Sequence, residues 1–247
     1  MRLRSWPTVA RGTARRCGLS RRSRTREFAS RSARRASSIR TGSGCVPEAH
    51  DGPIGSTRPG HYGAAGIGVA LAEATITLAW NVQGDLAGPA FVEEARRLFD
   101  VALPLAPNTT ARTGAVTALW LGPASWLLVA RAASPLVDYA AKRDALNAAG
   151  GALFDVSASR VAWTVSGPHA ADVLAKGCPL DFHPRAFATG TGAQSVFGHV
   201  NVLIDKRDDD PTFTVMVARS FARDVWHAFC EAAAQYGYGV LPPAPFR

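Results

Sequence analysis

"VARAASPLVDYA" (Val129–Ala140) and "VARSFARDVWHA" (Val217–Ala228) align without a gap, and five of the twelve positions are identical. Each begins as an apolar run of strand character and passes through Ala-Arg into a stretch with the spacing of a helix. A strand-to-helix junction that occurs twice points to a duplicated unit, and the flanking sequence extends the repeat in both directions.

In the first half, "TITLAWNV" (Thr75–Val82) reads as a strand, rich in β-branched residues. "GPAFVEEARRLFD" (Gly88–Asp100) reads as a helix, with Pro89 in the first turn and Phe91, Ala95 and Leu98 on one face. "LPLAPNTTARTG" has the Pro, Asn and Gly content of a loop. "VTALWLG" and "SWLLVAR" are strands about a Gly122–Pro123 turn. "SPLVDYAAKRDALNAAG" is a helix with Ser134 as N-cap, Pro135 at the first position and Gly150 at the exit, and "ALFDV" is a strand.

The second half repeats the order. "RVAWTVSG" is a strand, "PHAADVLAKG" a short helix opened by Pro168, and "AQSVFGHVNVLID" and "TFTVMVA" are strands. "SFARDVWHAFCEAAAQYG" is a helix whose expected core face is Phe221, Val225 and Phe229, and a last strand is expected at Tyr238–Leu241. Two β-α-β-β-α-β halves imply an α+β fold of two fused ferredoxin-like units rather than a doubly wound parallel sheet.

The run Phe154–Phe182, "FDVSASRVAWTVSGPHAADVLAKGCPLDF", gathers the residue types of nucleophilic and acid–base chemistry. Asp155, Ser157 and Arg160 read as a hairpin in which Asp and Ser satisfy backbone groups and Arg160 pairs with Asp155. The competing reading is a carboxylate and a guanidinium that orient a ligand. Gly167 and Pro168 precede a helix that lacks both a GxGxxG pattern and a phosphate-loop Lys. A Ser166–His169 pair is conceivable, but helix spacing alone does not aim a hydroxyl at an imidazole. Gly177, Cys178 and Pro179 read as a stop-and-turn, and Cys178 stands at the helix end that disfavours a thiolate.

The four cysteines form no CxxC pair and the six histidines no HExxH motif, so no metal site is expected. No 18-residue apolar run is present. The formal charge of +9 comes from residues 1–47, which hold 13 Arg and one acid, Glu27. Without them the remaining chain is mildly acidic, so nucleic-acid binding would rest on that segment alone. Rich in Arg and Ser, residues 1–47 are expected to be disordered. They read as a basic arm, as an organelle transit sequence, or as an upstream translation from a mis-assigned start. The preferred expectation is a start near Val46, with residues 1–45 absent from the native protein or dispensable. Residues 48–74 are expected as an extended lead-in and 75–247 as the folded domain.

"RPGHYGA…GVALAE", "WNVQGD", "LPLAPNT", "LWLGPASWLL", the joined run Asp155–Phe187, "AQSVF" and "VARSFARDVW" occur in this order. Together, over about residues 58–236, they resemble the gamma subunit of heterotetrameric sarcosine oxidase. That resemblance implies a distant similarity to the glycine-cleavage T-protein and its folate-binding fold. It implies an assembly that oxidises sarcosine to glycine, passes the one-carbon unit to tetrahydrofolate and makes hydrogen peroxide. FAD, FMN, NAD and tetrahydrofolate are then expected on partner subunits. This chain would carry no cofactor and pack directly on the alpha subunit, with beta and delta subunits completing the assembly. A cytoplasmic setting follows, with no nucleic-acid or membrane partner.

The T-protein pattern has a hairpin with paired acids. Here Asp205 and Asp208–Asp210 are expected in a solvated loop, and no carboxylate matches the catalytic position. Asp155, Ser157, Ser159, Arg160, Gly167, Pro168, Gly177, Cys178, Pro179, Arg219, Ser220 and Phe221 are therefore expected to be scaffold or interface residues, not catalytic ones. Three alternatives stand beside this reading. One is a stand-alone folate-binding aminomethyltransferase, another a subunit of a related N-methyl amino acid demethylase, and the third a nucleic-acid-binding protein acting through its basic tail.

Overall fold

Strand side chains alternate between the two faces of a sheet. In Arg160–Ser166, Val161, Trp163 and Val165 join one apolar cluster and Ala162 another. The same division runs through the whole molecule and sorts it into layers. The structure is a computed structural model, and it describes residues 59–64, 66–130 and 137–246. The expectations for residues 1–47 and for the Ser134 and Pro135 helix start lie outside the described residues.

One sheet runs in the order β4 (Thr110–Arg112), β5 (Val116–Gly122), β6 (Ser125–Ala130), β3 (Ala79–Gln83), β7 (Ala152–Asp155). The other runs β1 (Gly60–Tyr62), β12 (Tyr238–Pro245), β2 (Val69–Thr75), β8 (Arg160–Ser166), β11 (Thr212–Ala218), β10 (Val200–Lys206), β9 (Gly192–Phe197). Helices α1 (Pro89–Phe99) and α2 (Tyr139–Ala148) belong to the half that builds the first sheet. Helices α3 (Ala170–Ala175) and α4 (Ala222–Ala233) belong to the half that builds the second. Each half runs β-α-β-β-β-α-β, one strand more than expected: β4 is added at the edge of the first sheet, which otherwise has the strand arrangement of a ferredoxin-like unit, and in the second half β9 and β10 stand where one strand was expected.

Three clusters hold the layers. Trp80, Val82, Trp126 and Leu128 pack with Phe91, Ala95, Leu98 and Phe99 of α1 and Leu146 of α2. Trp163, Val165, Val215 and Val217 pack with Val225 and Phe229 of α4 and Val173 and Leu174 of α3. Between the sheets lie Ala74, Ala79, Leu119, Leu127, Val129, Ala162, Leu203 and Met216. Small side chains on β2, β3 and β8 let the two sheets approach face to face.

Several elements depart from the sequence reading. The expected strand Thr75–Val82 is two strands: Thr75 closes β2, and β3 begins at Ala79. The segment 48–74 contributes more than a lead-in. Within it, β2 lies between β12, to which it is parallel, and β8, to which it is antiparallel. Its "VALAEAT" run is too Ala-rich to announce a strand, and pairing on both sides holds it extended. "AQSVFGHVNVLID" is a hairpin, with Gly198 at φ +60 turning β9 into β10. The loop "LPLAPNTTARTG" contains β4. Phe221 is 43% exposed and does not join the core face of the last helix. It caps α4 from a 3-10 turn, and Ala222, Val225, Trp226, Phe229 and Ala233 form the buried face instead.

The contrast between Phe221 and Phe229 is directly testable. Phe229 is fully buried against Trp163 and Phe197, and its truncation to Ala costs about 3–5 kcal/mol. Chemical denaturation of Phe229→Ala should show that loss, whereas Phe221→Ala should leave the midpoint nearly unchanged. Equal effects of the two substitutions would contradict the burial pattern.

Candidate functional site

The motif-bearing connection from β7 to β8 is a hydrogen-bonded turn. Asp155 Oδ1 accepts from Ser157 N at 2.9 Å and from Ser157 Oγ at 2.6 Å. Ser157 Oγ in turn accepts from Ala79 N at 3.0 Å, tying the turn to β3. Ser159 Oγ donates to Val156 O at 2.7 Å. The expectation that Asp155 and Ser157 satisfy backbone groups is met. The expected Asp155–Arg160 pair does not form; the carboxylate turns its Oδ1 to Ser157 instead. Arg160 is half-buried, and burial holds its pKa below the usual arginine value with no carboxylate opposing the shift.

Gly167 adopts φ +111, and a Cβ there would stand 2.8 Å from Gly68 O. Only glycine fits that crossing of backbones. Pro168 is exposed and precedes the N-cap His169 rather than opening the helix. His169 does not meet Ser166. Its Nδ1 lies 2.8 Å from Asp172 Oδ2, and its ring stacks on Tyr236 at 4.4 Å between centroids. Lys176 lies over the same tyrosine ring at 4.5 Å. A nucleophile–base pair needs a hydroxyl or thiol within reach of the imidazole, and the His169 contacts provide neither.

Cys178 is 5% exposed in the core on the α3 and α4 side. Its Sγ lies 3.4 Å from Ser195 Oγ. Gly177 fits only because a Cβ would meet the Phe197 ring at 2.7 Å. Pro179 is exposed and ends the turn. Arg219, Ser220 and Phe221 form an exposed 3-10 turn between β11 and α4.

Asp205 departs from the solvated-loop expectation. Asp205 is the sixth residue of β10, fully buried, and Arg112 Nη2 of β4 donates to both its carboxylate oxygens. Arg112 Nη1 donates to Thr110 Oγ1 at 2.7 Å. Burial pushes the Asp205 carboxyl above its usual value, and the Arg112 charge and hydrogen bonds from Arg112 and Thr110 pull against it. Asp208–Asp210 do lie in the β10–β11 connection, where Asp208 pairs with Arg207. The buried pair was missed because Arg112 sits in a loop-like run and its partner is 93 residues away. The signal available was Asp205 itself, placed directly after the continuous apolar run "VLI" (Val202–Ile204) of a strand buried on both faces there.

An open groove of about 760 Å³ lies along α4 and the β9–β10 turn, lined by His199, Arg223, Asp224, Trp226, His227, Ala228 and Glu231. Within it His227 and Glu231 are 3.2 Å apart. Among the described residues no group of three His, Cys, Asp or Glu could hold a metal ion. No described helix is long and apolar enough to cross a membrane.

Residues 83–235 match the family model described as the sarcosine oxidase, gamma subunit family. Among curated proteins, the sarcosine oxidase subunit gamma of Corynebacterium sp. (strain U-96) is 33% identical over 137 residues, covering 55% of this chain and 65% of that protein. Its counterpart in Corynebacterium sp. (strain P-1) is 32% identical over 118 residues, covering 48% of this chain and 57% of that one. The matches therefore span less than two thirds of these relatives' length. Among solved structures, the heterotetrameric sarcosine oxidase from Corynebacterium sp. U-96 in complex with pyrrole 2-carboxylate contains a chain with TM-score 0.61 and 27% identity. The match covers 70% of this chain and 88% of that one. Glycine cleavage system aminomethyltransferase T from Bartonella henselae shares the fold, with TM-score 0.52 and 16% identity over 72% of this chain and 48% of that one.

Two consequences are measurable. Removing Arg112 strands a buried carboxylate, which costs about 3–5 kcal/mol. Burial then raises the Asp205 carboxyl with no Arg112 charge to oppose it, so folding takes up a proton between the usual carboxylate value and the raised one. Stability falls as pH rises through that value. The Arg112→Ala deficit should therefore be largest at neutral pH and shrink toward acid. A deficit independent of pH would contradict the buried pair. Cys178 should resist alkylation in the native chain and react on unfolding, as read by peptide mapping. Rapid native labelling of Cys178 would contradict its place in the core.

Proposed function

Because the chain belongs to the sarcosine oxidase gamma subunit family, we propose that it serves as the gamma subunit of a heterotetrameric sarcosine oxidase. The observation that carries this reading is the match over residues 83–235, more than half of the chain, joined to a fold that covers 88% of a chain in a solved oxidase of that kind. The assembly would work in the cytoplasm and oxidise the N-methyl group of sarcosine. Dioxygen takes the two electrons and becomes hydrogen peroxide. Water completes the release of glycine and formaldehyde, or tetrahydrofolate accepts the one-carbon unit.

We assign this chain a non-catalytic part. Its Asp155, Ser157, Ser159, His169 and Cys178 are engaged in turns, a stacked ring and the core. FAD, FMN, NAD and tetrahydrofolate belong to partner subunits in this reading. The alpha subunit is the direct neighbour, and beta and delta complete the complex. The fold, which aminomethyltransferase T shares at 16% identity, then serves as a packing unit.

Purification settles the assignment. Expressed alone, the chain should be colourless and produce no sarcosine-dependent peroxide. Co-expressed with alpha, beta and delta subunits, it should elute with them. Elution of this chain alone from the co-expressed mixture would contradict the proposal.

A further inference from the structure

The first residue of β8 faces the last residue of β11: Arg160 and Ala218 are register partners. This pairing joins two stretches far apart in sequence, the turn ending at Ser159 and the turn Arg219–Phe221. Ser159, Ala218, Arg219, Ser220 and Phe221 are all exposed, and Arg160 is half-buried. The ends of β8 and β11 thus bring an exposed phenylalanine and two arginines near one another in the fold.

Arg160 lacks the partner that a half-buried charge requires. Among the described residues it makes no ion pair and its guanidinium no hydrogen bond. The neighbouring Asp155, which would be the local candidate, is held by Ser157. Arg219 is placed differently, since its charge acts on the part-buried Glu73 of β2. A guanidinium withdrawn from water and left without an anion destabilises the chain that carries it. The same group becomes favourable when a second surface brings a carboxylate, because the planar fork takes both oxygens at once. Arginine and aromatic side chains, phenylalanine included, are also enriched at protein interfaces.

We propose that this surface, centred on Arg160 and flanked by Phe221, is where the chain docks a partner subunit, and that the partner presents a carboxylate to Arg160 beside an apolar contact for Phe221. The proposal rests on the reading of the chain as an oxidase subunit and adds the place and chemistry of the contact. A small free anion is the other source of a carboxylate or similar group. It would satisfy Arg160 but would have no use for the phenylalanine ring.

The test uses the co-expressed complex and three forms of this chain: wild type, Arg160→Met and Phe221→Ala. Arg160→Met keeps an apolar stem and removes the charge. Its melting temperature in isolation should equal or exceed that of wild type, because an uncompensated charge has been removed. Its retention of the partner subunits should fall by about tenfold or more, the effect of truncating one side of a buried charge pair. Phe221→Ala should weaken retention without lowering the melting temperature. Wild-type retention matched by both variants would overturn the proposal and leave the subunit reading intact. A melting temperature that falls with retention would assign Arg160 to the fold instead and overturn it. Sulfate that stabilises the wild-type chain, with no loss of retention in Arg160→Met, would point to a free anion and also overturn it. Failure of wild type to retain any partner would overturn both readings together.

Discussion

The two sheets are joined at one corner, and the arrangement of the molecule follows from that joint. Thr109 and Thr191 form a backbone bridge, Thr110 N donates to Gly190 O at 2.9 Å, and Gly192 N donates to Asn108 O at 3.0 Å. Gly192 has no room for a side chain, since a Cβ would stand 2.5 Å from Thr110 Cγ2. At the same corner Arg112 of β4 meets Asp205 of β10. Next to it Gln194 Nε2 of β9 donates to Leu121 O of β5 at 2.7 Å; elsewhere the inner faces touch through Ala, Leu, Val, Met and Phe side chains, which make contact without direction. An ion pair is different, because a one-residue slip of β10 would turn Asp205 to the opposite face of its sheet. The pair therefore fixes register where apolar packing alone would not.

With the sheets locked face to face, each keeps its other side for helices, and the ends of β8 and β11 open at the rim. The polar residues that resemble catalytic machinery occupy the joints of this scaffold. Ser157 ties the β7–β8 turn to β3, His169 lies between Asp172 and Tyr236, and Cys178 fills a core position. Each is consumed by a local geometric need. Arg160, half-buried and without an ion pair among the described residues, lies at the start of β8.

Much of the fold was legible in the sequence, because the duplicated strand–helix junction and the caps of α1 carry short-range signals. Gly88, Pro89 and the Phe91–Ala95–Leu98 face all took their expected places. What escaped was determined across distance. Alanine-rich β2 is a strand because β12 and β8 pair with it. Asp205 is buried because Arg112 reaches it from the other sheet. Phe221 matched the four-residue spacing of Val225 and Phe229, yet the helix begins one residue after it, so the spacing did not place it on the buried face. In the candidate site, the Asp155–Ser157 turn was readable from Asx chemistry. The freedom of Arg160 was not, since it depends on which donor Asp155 prefers.

The central claim is that this chain supplies structure and a docking surface while the chemistry belongs to its partners. The most direct measurement is the turnover number of the assembled oxidase carrying Ser157→Ala, His169→Asn and Cys178→Ala together, normalised to intact complex. The account predicts a turnover equal to wild type, with any loss confined to stability and yield of the complex. Turnover that collapses in fully assembled and stably folded complex would contradict it and place catalytic chemistry in this chain.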